Sequence, residues 1–347
     1  MKPIRSLPVC PGLPISTFMT DLSMNSVTTN AAALGALTVL TGVNKQLDTV
    51  NQQVSSGYRV NTAADDPTYW SMATTMRSDM SSLSTIGDAL GLGSAKVDTT
   101  YTAMQQGIDL LTEIRSKLVT AQEPGVDRDV LNSDISDLKS QLVTAMQSAT
   151  VSGENWLYNS DAGYDSAGNR SIISNFTRGT SGQVYLESIT YPNSQAMMID
   201  TNNASNGLLT EATDANTLNP DGTSTARNYY LLSVGTPPSG ATEISLSDST
   251  TDQQLTDMLD VTSQLLKSLT SSASSLGVTK SRIDEQSTFV SDLTDNIKSS
   301  VGDLVDADMD EASSRQTALK TAQQMGVQAI SIANTMASKI LILLQSS

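Results

Sequence analysis

The apolar positions near the two ends of the chain follow the same alternating spacing of three and four residues. The N-terminal stripe consists of Ala33, Ala36, Leu40, Val43, Leu47, Val50 and Val54. The C-terminal stripe consists of Leu319, Ala322, Gly326, Ala329, Ala333, Met336, Ile340 and Leu343. This spacing places all members of a stripe on one side of a helix, where a partner helix can cover them. Both ends are therefore predicted to be long helices that pair with other helices.

The same two regions carry almost no charge. Residues 22–44 and residues 321–338 contain no Asp, Glu, Lys or Arg. A helix with water along one side normally has charged residues on that side, so we expect both helices to have neighbours on several sides, as in an assembly. The predicted polymerisation seam consists of Leu40, Val43, Leu47, Val50 and Val54 near the N-terminus and Ala329, Ala333, Met336, Ile340 and Leu343 near the C-terminus.

Three further helices are predicted between the ends. Asp65, Asp66 and Pro67 form a helix start, because acidic residues favour the positive end of the helix dipole and proline suits the first turn. That helix reaches residue 121 or 122 and stops before Pro124, a third helix follows it to about Thr150, and a fourth runs from Asp252 to about residue 303.

The pattern changes between residues 158 and 248, where short alternating runs are separated by proline- and glycine-containing turns. The candidate strands span residues 171–177, 183–191, 196–200, 227–234 and 242–247. The predicted fold is therefore mainly α, with a long antiparallel helical bundle or coiled coil built from both chain ends. A small β-rich insert separates its two halves.

Composition excludes several classes of protein. The net charge of −16 argues against nucleic-acid binding, which requires clusters of Lys and Arg. No run reaches the ~20 apolar residues of a transmembrane helix, so we expect no membrane insertion. The chain has no histidine and a single cysteine, Cys10. We predict no catalytic residue, no cofactor and no metal. Residues 1–23 contain four prolines and no apolar signal core, and we expect a disordered leader there.

One acidic cluster has part of the pattern of a calcium-binding loop. Asp306, Asp308 and Asp310 alternate as calcium ligands do, but such a loop needs glycine at its sixth position and glutamate at its twelfth. Glu311 and Thr317 occupy those places. We interpret the three aspartates as acidic residues at a helix start.

Several local motifs resemble those of bacterial flagellin. Residues 24–30 (MNSVTTN) resemble the family's start and make Met24 the expected initiator, and residues 53–67 (QVSSGYRVNTAADDP) resemble the signature at the end of its first helix. Residues 281–283, 304–309 and 329–334 (SRI, LVDADM and AISIAN) resemble its C-terminal half. The motifs occur in the family's order and at its separations.

The resemblance implies a secreted structural subunit that polymerises into the flagellar filament for motility. It implies an inner coiled-coil layer from residues 24–57 plus 304–347, an outer tube from residues 58–157 plus 249–303, and a variable surface-exposed insert at residues 158–248. The implied partners are other copies of the chain, the flagellar export machinery, an export chaperone, and the hook-associated and cap proteins.

Two alternatives remain open at this stage. One is a flagellin-like adhesin or glycan-binding protein at the cell surface, which would bind polysaccharide through aromatic rings such as Tyr191, Tyr229 and Tyr230. The other is a hook–filament junction protein, which would share the helical layers.

Overall fold

Long helices precede and follow a region of short strands along the chain. The computed structural model describes residues 29–161, 168–179, 181, 183–215 and 226–345. The helices of this part of the chain are α1 (Ala31–Ser56), α2 (Pro67–Thr120), α3 (Arg128–Ser148), α4 (Asp252–Val305) and α5 (Met309–Gln345). At 1.5 Å per residue, α2 and α4 are each about 80 Å long. The predicted fold class is confirmed.

The strands lie between α3 and α4. Their bounds are β1 (Thr150–Val151), β2 (Glu154–Asn155), β3 (Tyr158–Asn159), β4 (Asn169–Arg178), β5 (Val184–Pro192), β6 (Ile199–Asp200), β7 (Thr213–Asp214), β8 (Asn228–Tyr230) and β9 (Ala241–Glu243). β4 and β5 form an antiparallel pair with a register shift between Ile173 and Asn175. β8 pairs antiparallel with β7 and parallel with β9. The two longer predicted strands are confirmed, whereas the other three candidates contain only two- or three-residue strands.

Side-chain caps fix the starts of the helices. The carboxylate of Asp66 accepts hydrogen bonds from the backbone N–H groups of Thr68 and Tyr69, at 2.9 and 3.1 Å. Asp308 accepts two equivalent bonds from Asp310 and Glu311 at the start of α5, both at 3.0 Å. Each cap satisfies two of the N–H groups that a helix start leaves without an intrahelical partner. These contacts confirm the helix-start interpretation for Asp308 and Asp310, whereas Asp306 follows the end of α4 and forms a β-bridge with Tyr58.

The chain divides into two compact units, one made of residues 1–74 with 301–347 and the other of residues 75–300. We call them the terminal unit and the central unit. The central unit has one large core to which α2, α3, α4 and the strand region all contribute buried side chains. The residues of the strand region therefore share a core with the helices.

Two glycines of α2 allow neighbouring elements to approach closely. A Cβ on Gly107 would lie 2.7 Å from Met146 Cε on α3 and 3.5 Å from Leu269 Cδ2 on α4. A Cβ on Gly93 would lie 2.4 Å from Cγ2 of Ile172 on β4. The missing side chains let the three helices meet at one level and let the β4–β5 pair pack against α2.

Ion pairs connect the strand region to the helices. Asp257 of α4 is completely buried, and the guanidinium of Arg227 donates to both of its carboxylate oxygens. Lys139 of α3 donates to the Glu243 carboxylate at 2.8 Å, and although burial lowers the pKa of Lys139, Glu243 opposes that shift. Removing one partner of such a buried pair would leave an uncompensated charge. The contacts fix the position of the strand region within the central unit.

Candidate polymerisation interface

The terminal unit is built on the antiparallel pairing of α1 and α5. Leu47, Val50 and Leu319 form its buried centre, and Val43 and Val54 pack against them half-buried. Leu40 lies against Gly326, where a Cβ would come within 3.2 Å of Leu40 Cδ1. Residues further along α1 are paired with residues earlier in α5, as antiparallel pairing requires. The N-terminal stripe therefore faces α5.

Amide side chains pair across the same contact at a heptad interval. The Gln323 side chain donates to Asn44 Oδ1 at 2.7 Å, and the Gln316 side chain donates to Asn51 Oδ1 at 2.8 Å. The two pairs are seven residues apart on both helices. Polar residues at such positions specify the register of paired helices, because a shift leaves at least one of their hydrogen bonds unmade. We call these contacts the amide pairs.

The segments next to the helix pair are joined through backbone hydrogen bonds. Arg59 N–H donates to Val305 O at 2.7 Å, and Ala307 N–H donates to Gly57 O at 2.9 Å. The Arg59 guanidinium donates to Leu304 O at 2.7 Å and lies over the ring of Tyr69, 5.6 Å from its centroid. The signature around Arg59 therefore holds the end of α1 beside the junction between α4 and α5.

The loop before α2 is tightened by Asp65. Its carboxylate accepts bonds from the Asn61 and Thr62 backbone N–H groups and from the Thr62 hydroxyl. These bonds, led by the backbone bond from Thr62, lower the pKa of Asp65. The loop thus keeps its turn while Asp65 is ionised.

Large apolar side chains remain exposed on the two terminal helices. They are Leu34, Leu37, Val39, Met325, Val327, Ile332, Met336 and Ile342. On α5, Met325, Ala329, Ile332 and Met336 follow a 4-3-4 spacing and are all exposed. We call these four residues the outer stripe of α5. It lies beside the residues that face α1, among them Leu319 and Gly326.

The structure separates the predicted C-terminal seam into two sets. Ala333 is half-buried, and its carbonyl accepts a 3.0 Å hydrogen bond from the Asn30 side chain, so it lies on the α1 side. Ala329 and Met336 belong to the outer stripe, and Met336 is 63% exposed. The side chains of Ile340 and Leu343 lie outside the described residues, as does the predicted leader at residues 1–23.

Sequence reasoning missed the outer stripe and the amide pairs. Met325 and Ile332 are seven residues apart, which is itself a heptad signal. That signal was obscured because apolar residues occur on several sides of α5. The amide pairs were detectable as Asn44 and Asn51 on one helix and Gln316 and Gln323 on the other, two further seven-residue intervals.

The tyrosines considered for glycan binding are not available at the surface. Tyr191, Tyr229 and Tyr230 are 2%, 5% and 8% exposed. The ring of Tyr191 stacks on Trp156 at 6.2 Å between centroids, and burial raises its pKa to about 12. A ring that stacks on a sugar must be accessible, so the assignment of these three residues to glycan binding was wrong.

Two further features, a metal-ligand cluster and a membrane-spanning helix, are absent from the residues that the structure describes. No group of three or more Asp, Glu, Cys or His side chains there is suited to hold a metal ion. None of the described helices combines the length and the apolar character that crossing a bilayer requires.

Comparison with protein families identifies the architecture. The model of the bacterial flagellin N-terminal helical region matches residues 27–162, and the model of the bacterial flagellin C-terminal helical region matches residues 259–344. The chain belongs to the bacterial flagellin family. Flagellin C of Rhizobium meliloti (strain 1021) is 51% identical over 322 residues, which cover 93% of this chain and 100% of that protein.

More distant flagellins align over the same extent. Flagellin A of Rhizobium meliloti is 34% identical over 92% of this chain and 99% of its own length. The flagellin of Brucella melitensis is 32% identical over 92% of this chain and 98% of its own length. The resemblance inferred from the motifs is confirmed. As a flagellin, the chain is a structural subunit that polymerises with copies of itself into the flagellar filament, and it is exported to the flagellum.

Proposed function

We propose that the outer stripe of α5 is the surface through which the paired terminal helices contact neighbouring copies in the filament. The supporting observation is that Met325, Ala329, Ile332 and Met336 form a continuous apolar row that the subunit itself leaves uncovered. Burying a Met or Ile side chain contributes about 1.5–3 kcal/mol, and a helical polymer repeats that gain at every subunit. Ile340 and Leu343 are proposed to extend this contact toward the C-terminus.

The other predicted seam residues have a different role in this proposal. Leu40, Val43, Leu47, Val50 and Val54 hold α1 against α5 within one subunit, together with the amide pairs. They support polymerisation indirectly, because the outer stripe is presented correctly only when α5 is held in a fixed register.

The experiment compares two substitutions that place the same charge on α5. Ile332→Asp introduces a carboxylate into the outer stripe, and burying an unpaired charge is costly. Ser314→Asp, at an exposed position near other charges, is the matched control. We expect purified Ile332→Asp subunits to need at least about tenfold more protein to form filaments, whereas the control assembles like the parent. Equal assembly of the two variants would refute the role of the stripe.

We further propose the assignment of the chain to layers of the filament. Residues 24–57 with 304–347 would form the inner layer, residues 58–157 with 249–303 the outer tube, and residues 158–248 the outward-facing variable region. The charge-free segments support the inner position, because a tightly packed layer gives unpaired charges no access to water. Density from a filament reconstruction at side-chain resolution would test each boundary.

The remaining partners follow from the same role. The flagellar export machinery, an export chaperone, and the hook-associated and cap proteins are the partners proposed for an exported filament subunit. We propose no enzymatic activity, since a flagellin is a structural subunit and the chain has no histidine to act as a general base. No observation favours a polysaccharide-binding or hook–filament junction role over the filament.

A further inference from the structure

A surface groove runs along α4 in the central unit. It has a volume of about 710 Å³ and extends from Ser263 to Val278, with Arg115 of α2 at its side. Along the helix axis Ser263 and Val278 are about 22 Å apart. Most of the lining is short and polar, with Thr270 and four serines facing the groove, while Val278 is 60% exposed.

The groove is cationic in a strongly acidic protein. Arg115 and Lys267 line it, and no carboxylate does. Both side chains are exposed, and neither has an ion-pair partner within the described ranges. The two cations have no acidic residue beside them in the groove lining and therefore form a local positive surface. This surface stands out because the whole chain has a net charge of −16.

An acidic surface lies elsewhere on the same unit, at the turn between α2 and α3. Asp127, Asp129 and Asp248 line it together with Val130, which is 58% exposed. The one cation of this turn, Arg128, is directed inward. Its guanidinium donates to the carbonyl oxygens of Ala121 and Thr250 and lies 3.6 Å from the Asp252 carboxylate, so its contacts are made within the subunit.

We propose that the cationic groove of one subunit receives the acidic α2–α3 turn of a second copy. The charges of the two surfaces are complementary, with Arg115 and Lys267 of the groove opposite Asp129 and Asp248 of the turn. Each surface also has one exposed valine. The two surfaces have no lining residue in common. A contact between two different surfaces of identical subunits leaves one free surface of each kind, so association continues and gives an open helical polymer when the rotation between subunits does not close a ring.

This contact deepens the proposed function and rests on it, because it requires that copies pack side by side in a filament. It concerns the central unit, whereas the outer stripe concerns the terminal unit. Exposed complementary charges act mainly on the rate and specificity of association, and salt screens them over about 10 Å at 0.1 M ionic strength. The contact therefore sets which surfaces meet during assembly.

Reciprocal charge reversal tests the contact in trans. One variant carries Arg115→Glu and Lys267→Glu, so that both of its surfaces are acidic. The other carries Asp129→Lys and Asp248→Lys, so that both are basic. Each variant alone should assemble at least about tenfold more slowly than the parent at low salt. A one-to-one mixture should recover the parental rate, because each groove then meets a turn of opposite charge.

The control separates this contact from a general effect of net charge. Arg282→Glu with Lys298→Glu changes the net charge by the same amount at exposed positions of α4 outside the groove, and it should assemble within about twofold of the parent. Far-UV circular dichroism of each monomer reports whether the fold is retained. Recovery in the mixture cannot arise from a folding defect.

Two results would overturn the inference. In the first, the groove variant assembles like its control. In the second, the mixture assembles no faster than its components, which would mean that the groove does not take the α2–α3 turn. Either result leaves the proposal for the outer stripe intact if Ile332→Asp still raises the protein concentration needed to form filaments. The two proposals can therefore be refuted independently.

Discussion

The two units of this flagellin obtain their stability in different ways. The central unit buries a core that includes Leu111, Leu142 and Leu269, each completely inaccessible. The buried cluster that the described residues of the terminal unit form between α1 and α5 is small, with Leu47, Val50 and Leu319 at its centre. Because such a cluster removes little apolar area from water, it offsets the loss of chain entropy poorly.

The difference shows where each unit completes its folding. The central unit has a sufficient core within one chain, and ion pairs such as Arg227–Asp257 fix its parts. The terminal unit leaves the outer stripe of α5 without a partner inside the subunit. We therefore propose that its helices direct assembly and reach their full stability only against neighbouring copies.

The largest expected effect comes from removing the C-terminal part of α5. Deletion of residues 329–347 should abolish filaments, because it removes three of the four residues of the outer stripe and the residues proposed to extend it. The thermal unfolding of the central unit should stay unchanged, as measured by circular dichroism of the monomer. A chain shortened by residues 346 and 347 alone is the control. Long filaments from the larger deletion would contradict the comparison between the units.

Matched leucine substitutions test the cores of the two units. Leu111→Ala should lower the free energy of unfolding by about 2–5 kcal/mol, because the lost methyl groups leave a cavity in a packed core. Leu47→Ala should leave the main unfolding transition of the monomer unchanged, and its effect should appear only in assembly. Denaturant titrations of both monomers give the two values. An equal loss in both variants would mean that the terminal pair is as stable as the central core.

The smallest expected effect is pH-dependent and concerns Glu154. Burial raises the pKa of this carboxyl, but the Lys96 hydrogen bond and charge, with Arg170 and Trp156, overcome it and lower the pKa below its ordinary value of 4.5. A lowered pKa means that ionised Glu154 stabilises the fold above pH 4.5 and that this contribution is lost as the pH falls further.

Glu154→Gln should therefore destabilise the monomer at pH 7 by about 1 kcal/mol or less, since the pair is partly exposed to solvent. The difference in melting temperature between variant and parent should shrink toward zero as the pH approaches 3. A difference that stayed constant from pH 7 to pH 3 would show that the amide acts by packing rather than by charge.

The helices were predictable because their signals are local and repeated. The start of α2 at Pro67 and of α4 at Asp252 follow from acidic residues and caps that act within one turn. The position of the strand region along the chain was predictable, but its packing against the helices was not. The sequence around Gly93 does not indicate which element packs there, and the structure shows that this glycine makes room for Ile172 of β4.

The candidate interface was predictable in its general location only. Spacing alone placed Ala329 and Met336 in one stripe with Ala333, because apolar residues on several sides of α5 fit more than one heptad frame. Which frame faces α1 depends on the Leu40–Gly326 contact and on the amide pairs, which join residues 265 and 279 positions apart. The seven-residue intervals of the amide residues are visible in each segment, but neither segment alone shows which residues pair.

The amide pairs also distinguish the correct alignment of α1 and α5 from the one a heptad away. Slipping the two helices by seven residues still brings Asn51 opposite Gln323, so one of the two hydrogen bonds can be remade. Asn44 then meets Ile330, whose side chain offers it no hydrogen-bonding group. A misaligned pair thus keeps at most one of the two amide bonds, although its apolar stripes still coincide. Two polar contacts on an otherwise apolar seam therefore supply the difference in free energy by which one alignment is preferred to its neighbour.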